Sequence, residues 1–173
     1  MLLGVGSGSA VGATPGCGLA TPASIATAVG LPHIAKETGL SEGSSRCDFE
    51  LWRGSRPKSP KAQRRAIAAG TYSLLEILYA PSGEEPSEFA QFKQAREVQE
   101  LKELPGPVQT YQPPLFGATS ASGHERTGTI PDIRGLWANA SHEKFLYLDL
   151  YAGRGRRTAF TRVASKVVTA AFG

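Results

Sequence analysis

The stretch that decides the fold lies near the end of the chain: Phe145-Leu146-Tyr147-Leu148-Asp149-Leu150-Tyr151-Ala152-Gly153-Arg154-Gly155, running on into RRTAFTRVASKVVTAAFG at 156–173. In an extended chain its first seven residues place Leu146, Leu148 and Leu150 on one side and Phe145, Tyr147, Asp149 and Tyr151 on the other. Both sides are apolar except at Asp149, the pattern of a strand covered on both faces. After Gly155 the period changes. Phe160, Val163, Ala164, Val167, Val168 and Ala171 recur at helical spacing, and Thr161, Arg162, Ser165, Lys166 and Thr169 fill the opposite side. A strand, a Gly-x-Gly turn and an amphipathic helix are expected in that order.

Outward from this unit the chain is less regular. Residues 87–104, opened by Pro86 and Ser87, read as a helix with Phe89, Phe92, Val98 and Leu101 on its apolar side. Residues 62–80 read as a helix carrying Ile67, Leu74, Leu75 and Leu78, with Gly70 as a weak point; the second half, TYSLLEILYA, fits a buried strand equally well. LPHIAKETGL at 31–40 reads as a short helix closed by Gly39. Residues 41–61 are turn-rich and basic, and 105–131 form a long Pro/Gly-rich connector. The fold class expected is α+β: a small mixed domain with two or three helices, a central strand near the C-terminus and the strand–turn–helix unit. Residues 1–35 are expected as an extended N-terminal tail and 36–173 as a single loop-rich domain.

Residues 1–35 hold no charged side chain, and glycines and prolines interrupt every apolar run in them. A membrane-spanning helix needs about 20 predominantly apolar residues, so none is expected. The segment fits either a flexible tail or an organelle transit segment, since it lacks acids and is rich in small hydroxylated residues. A plastid or mitochondrion is favoured over the cytoplasm on this ground.

The net charge of +4 is unevenly spread. Arg56, Lys58, Lys61, Arg64 and Arg65 form one basic run, and Arg154, Arg156 and Arg157 another. Clusters of this kind attract polyanions such as RNA, anionic lipid headgroups or an acidic protein face. The two cysteines, Cys17 and Cys47, stand alone, as reduced thiols or one disulfide. The three histidines have no metal-ligand spacing. No metal, no cofactor and no catalytic residue are expected.

Two motifs resemble parts of known families. Leu148 to Gly155 resembles the glycine-rich first motif of class I S-adenosylmethionine-dependent methyltransferases. That resemblance implies cofactor contacts at Gly153 and Gly155, where a Cβ would block the approach, with Asp149 close by. It covers eight residues, and the sequence after Gly155 has one helix where that family continues with further strands. Ile34 to Ser41 resembles the first helix and turn of a helix-turn-helix unit. Its recognition helix would need apolar residues near 45 and 48, where the chain has Ser45 and Asp48.

The reading that follows is a non-enzymatic accessory or structural subunit lying along a larger assembly, an organellar ribosome or an energy-converting membrane complex. Its partners would be other protein subunits, with RNA or lipid headgroups at the basic runs. A methyltransferase-like protein and a basic nucleic-acid-binding module are the alternatives.

Overall fold

The structure, a computed structural model, describes residues 18–41, 44–81 and 86–173. The elements in chain order are α1 (Pro22–Val29), β1 (His33–Ser41), β2 (Ser44–Trp52), α2 (Pro60–Ala69), β3 (Tyr72–Ala80), α3 (Pro86–Lys93), a π-helical turn (Gln94–Gln99), α4 (Glu100–Glu103), β4 (Val108–Tyr111), β5 (Ser120–Arg126), β6 (Asp132–Ala138), β7 (Phe145–Tyr151) and α5 (Arg156–Phe172). The fold is α+β. The seven strands make one antiparallel sheet in the order β1-β2-β3-β7-β6-β5-β4. The deciding stretch becomes β7, which holds the middle place, and α5.

Strand alternation gives the sheet two unlike faces. On one face lie Phe49, Leu51, Leu75, Ile77, Ile133, Trp137, Leu146, Leu148 and Leu150, all buried. They pack with Phe160, Val163, Val167 and Val168 of α5 and with Ile25 and Ala28 of α1 in one continuous core. The Trp137 indole stacks on Phe160 with centroids 6.0 Å apart, and its Nε1–H donates to the Pro114 carbonyl at 2.8 Å. The Pro-rich connector is thereby fixed to the core. The opposite face is apolar only at one end, where Phe89 and Phe92 of α3 cover Leu78, Leu136, Phe145 and Tyr147.

Two helices follow one local design. Thr21 caps α1 by accepting the Ser24 N–H, and Ser59 caps α2 by accepting the Ala62 N–H; a proline opens each, and Gly30 and Gly70 close them at φ 82 and 74. A residue with a Cβ is strained there, so the glycines set both ends.

Several sequence expectations are corrected. Gly70 is the end of α2, and TYSLLEILYA is the strand β3. LPHIAKETGL is not a helix: its residues from His33 on are β1, paired along its length with β2. The run read as turn-rich, 41–61, contains β2, and the connector contains β4 and β5. β1, β4 and β5 carry few apolar residues, so their own periodicity is weak; β2 does alternate, with Cys47, Phe49 and Leu51 buried between Asp48 and Glu50, and the turn-rich reading missed that period of two. Residues 18–35 of the expected tail are folded through α1 into the core; 1–17 lie outside the described residues. Cys47 is fully buried and disulfide-bonded. The sequence has one other cysteine, Cys17, which lies outside the described residues.

Candidate functional site: a charged cavity on the open face of the sheet

The registers of β2, β3, β7, β6 and β5 bring Asp48, Glu76, Asp149, Arg134 and His124 into one row across the second face. The neighbouring row contains Glu50, Leu74, Tyr151, Asp132 and Arg126. Like charges directly opposite on adjacent strands repel. Three carboxylates in succession therefore need cations from elsewhere, and the fold supplies them. Arg46 reaches Asp48 at 3.0 Å and Glu76 at 2.7 Å, and Arg96 reaches Glu76 at 3.4 Å. Arg134 bridges Asp132 at 2.5 Å and Asp149 at 3.3 Å, while Arg126 lies 3.4 Å from Asp132.

The deepest part of this network is enclosed. Arg126, Asp132 and Arg134 are essentially inaccessible, and the Asp149 side chain is 7% exposed. The Arg134 guanidinium also donates to the Arg96 carbonyl at 3.1 Å and to the Tyr151 hydroxyl at 3.4 Å. Arg96 sits in the π-helical turn, so this irregular turn supplies both a carbonyl for Arg134 and a guanidinium for Glu76.

Burial disfavours the charge on Arg134, but Asp149, Tyr147 and Asp132 together outweigh it and hold the group more basic than usual. Asp149 is pushed well above the usual carboxylate range by burial; Arg134 opposes this, and Asp132 and Glu76 add to it. Burial and then Asp149 raise the Tyr147 and Tyr151 hydroxyls as well. At the edge of the site, burial and Glu50 raise Tyr72 to about 12.

Over β2 and β3 the charged face opens into a cavity of about 440 Å³, within the size range of small-molecule sites. Leu74, Ala35 and Tyr151 give it an apolar wall; Arg46, Arg56, Arg96, Asp48, Glu50, Glu76 and Asp149 bring charge. Among the described residues no cluster of His, Cys, Asp or Glu has the arrangement to hold a metal ion. The charged side chains of the lining offer charge recognition and proton binding.

Of the residues singled out in the sequence, Asp149 lines this cavity, while Gly153 and Gly155 lie beyond the end of β7. A Cβ on Gly153 would collide with the Ile67 carbonyl oxygen at the end of α2. Close packing of that helix thus accounts for the glycine. Gly155 precedes α5 at φ 78. Ile34 to Ser41, the stretch resembling a helix-turn-helix start, is edge strand.

The basic runs divide. Arg56 is paired with Glu50 at 2.5 Å and lies over the Trp52 ring, and Arg156 and Arg157 are paired with Glu125 at 3.0 and 2.5 Å. Lys58, Lys61, Arg64, Arg65 and Arg154 are exposed. Because α2 ends against Gly153, Arg154 lies near the C-terminal end of α2. Sequence reading missed Arg46, Asp48, Glu50, Glu76, Arg96, Asp132 and Arg134. Two signals were present: Asp149, the single charge in a strand otherwise apolar on both sides, and the alternation of Arg46, Asp48 and Glu50 with Cys47, Phe49 and Leu51. The chain matches no family model, no curated protein and no solved structure.

Proposed function

We propose that this chain is a non-enzymatic accessory subunit that lies along a larger assembly, an organellar ribosome or an energy-converting membrane complex, and docks through its exposed basic residues. The observation that carries this is the set of exposed, unpaired cations in the two basic runs. Lys58, Lys61, Arg64, Arg65 and Arg154 are all exposed and without a carboxylate partner among the described residues. Arg56 is engaged with Glu50, and Arg156 and Arg157 share Glu125, so the five other cations are the ones left for an acidic surface. Such cations steer association, and their attraction loses strength with salt. No helix among the described residues is long and apolar enough to cross a membrane, so membrane contact on this reading is peripheral.

The test is sedimentation of the protein in native extract at low salt. The wild type is expected to travel with a large particle and to leave it as salt rises, and the K61E/R64E/R65E variant to stay in the slow fractions. A wild type that sediments slowly under all conditions sinks the reading. Ribonuclease or detergent treatment of the particle then separates an RNA, a lipid and a protein partner.

A further inference from the structure

The charged cavity has a use that docking through the exposed cations leaves unexplained. Its three guanidiniums are each engaged: Arg56 with Glu50, Arg46 with Asp48 and Glu76, and Arg96 with Glu76. Those contacts occupy three of the four carboxylates in the lining. The fourth, Asp149, depends on Arg134 behind it, and Arg134 lies nearer to Asp132, at 2.5 Å, than to Asp149, at 3.3 Å. Asp149 Oδ2 has this guanidinium and the Tyr147 hydroxyl at 3.5 Å. Oδ1 is buried and has no hydrogen-bond partner.

A buried acceptor left unmade costs about 1–3 kcal/mol, more when charged, so an orphaned carboxylate oxygen at a cavity is an unfilled demand for a donor. The surroundings specify the donor. The three guanidiniums of the lining are already paired with its other carboxylates, Glu50, Asp48 and Glu76. An anion would have to displace a carboxylate from an arginine; a cation meets Asp149 without breaking any pair. Leu74 and Ala35 beside it ask for an apolar body.

We infer that the cavity binds a small organic monocation, an ammonium or amidinium with N–H donors on a short apolar body, whose donor group takes Asp149 Oδ1. The site is independent of the exposed cations, so the two readings fail separately. Burial, against the pull of Arg134, raises the Asp149 carboxyl well above the usual carboxylate range, so it holds its proton more tightly than a free carboxyl. Glu76, Asp132, Arg134, Arg126, Tyr147 and Tyr151 are the groups that face it. A bound cation displaces that proton, and its affinity therefore increases with pH.

The experiment is titration calorimetry and thermal melting of the full chain with benzamidinium and n-hexylammonium, with neutral benzamide and anionic benzoate as controls. Both cations are expected to bind and to raise the melting temperature, as a ligand of the native state must. Binding should strengthen at least threefold from pH 5 to pH 8, with proton release seen as a dependence of the heat on buffer ionisation. Asp149→Asn should weaken the cations at least tenfold. Leu74→Trp, which fills the partly buried apolar wall without removing an ion-pair partner, should block them and keeps the test valid if the first variant folds poorly. Equal binding of benzamide or benzoate, no binding of either cation, or cation binding unchanged in Leu74→Trp overturns the proposal. So does a clear preference for a blocked arginine-containing peptide over the free cations, which would assign the cavity to a partner's side chain.

Discussion

The two faces of the sheet are built from the same seven strands, yet they are held in place by different physics. The face under α1 and α5 is an apolar core, non-directional and tolerant of small shifts. The other face is apolar under α3 and becomes a network of buried ion pairs beyond it. Such pairs lose hydration on burial, and the attraction offsets that loss only when the geometry is complete. The first face is therefore the source of stability, and the second fixes which residues stand where. The two also differ in openness, for one is closed by two helices and the other retains a cavity.

Four measurements break or sharpen this contrast. Trp137→Ala attacks the apolar face at its largest fully buried side chain. It should cost about 4 kcal/mol in urea unfolding, within the span for removing a buried aromatic ring. Reduction of the Cys47 disulfide removes a constraint anchored on the apolar face. The loss should be about 3–4 kcal/mol by the loop-entropy estimate for a loop of about 30 residues. Unfolding with and without reductant measures it, and the intact mass of the unreduced chain should be that of a monomer two hydrogens light.

Arg134→Met attacks the ionic face and leaves Asp132 and Asp149 without their shared cation. It should cost about 3 kcal/mol, because a lone buried charge is worse than none. If Arg134→Met proves neutral, the network is not a structural constraint and the contrast fails.

The smallest effect is expected at Asp149. A carboxyl whose pKa rises on folding holds its proton more tightly in the native chain than in the unfolded one. Its contribution is full below the ordinary pKa of about 4 and is lost as pH rises toward the folded value. Asp149→Asn has no such proton, so its stability should fall less steeply than the wild type's between about pH 4 and 8. Parallel curves would place the titrating group elsewhere in the network.

The apolar face was largely legible in the residues. Leu146, Leu148 and Leu150 show a period of two, and Phe160, Val163, Val167 and Val168 follow the helical one, so β7 and α5 emerge without tertiary information. The Ser59-Pro60 start and Gly70 end of α2 carry the same local chemistry as Thr21-Pro22 and Gly30 of α1. Reading Gly70 as a weak point inside a longer helix missed that signal. The ionic face was hidden for a different reason. Asp48, Glu76 and Asp149 are far apart in the chain and meet only through register, and each alone resembles an ordinary surface charge.

What the sequence by itself determined is the central strand, the final helix, the α+β class and the presence of two basic runs. These follow from short-range periodicity and composition, which every unfolded copy of the chain already contains. Only the tertiary structure decided that His33–Ser41 is an edge strand, which of the basic residues remain exposed, and that Asp149 Oδ1 is buried without a hydrogen-bond donor. Those facts depend on strand pairing, because a hydrogen bond or an ion pair needs a partner that the local sequence does not supply.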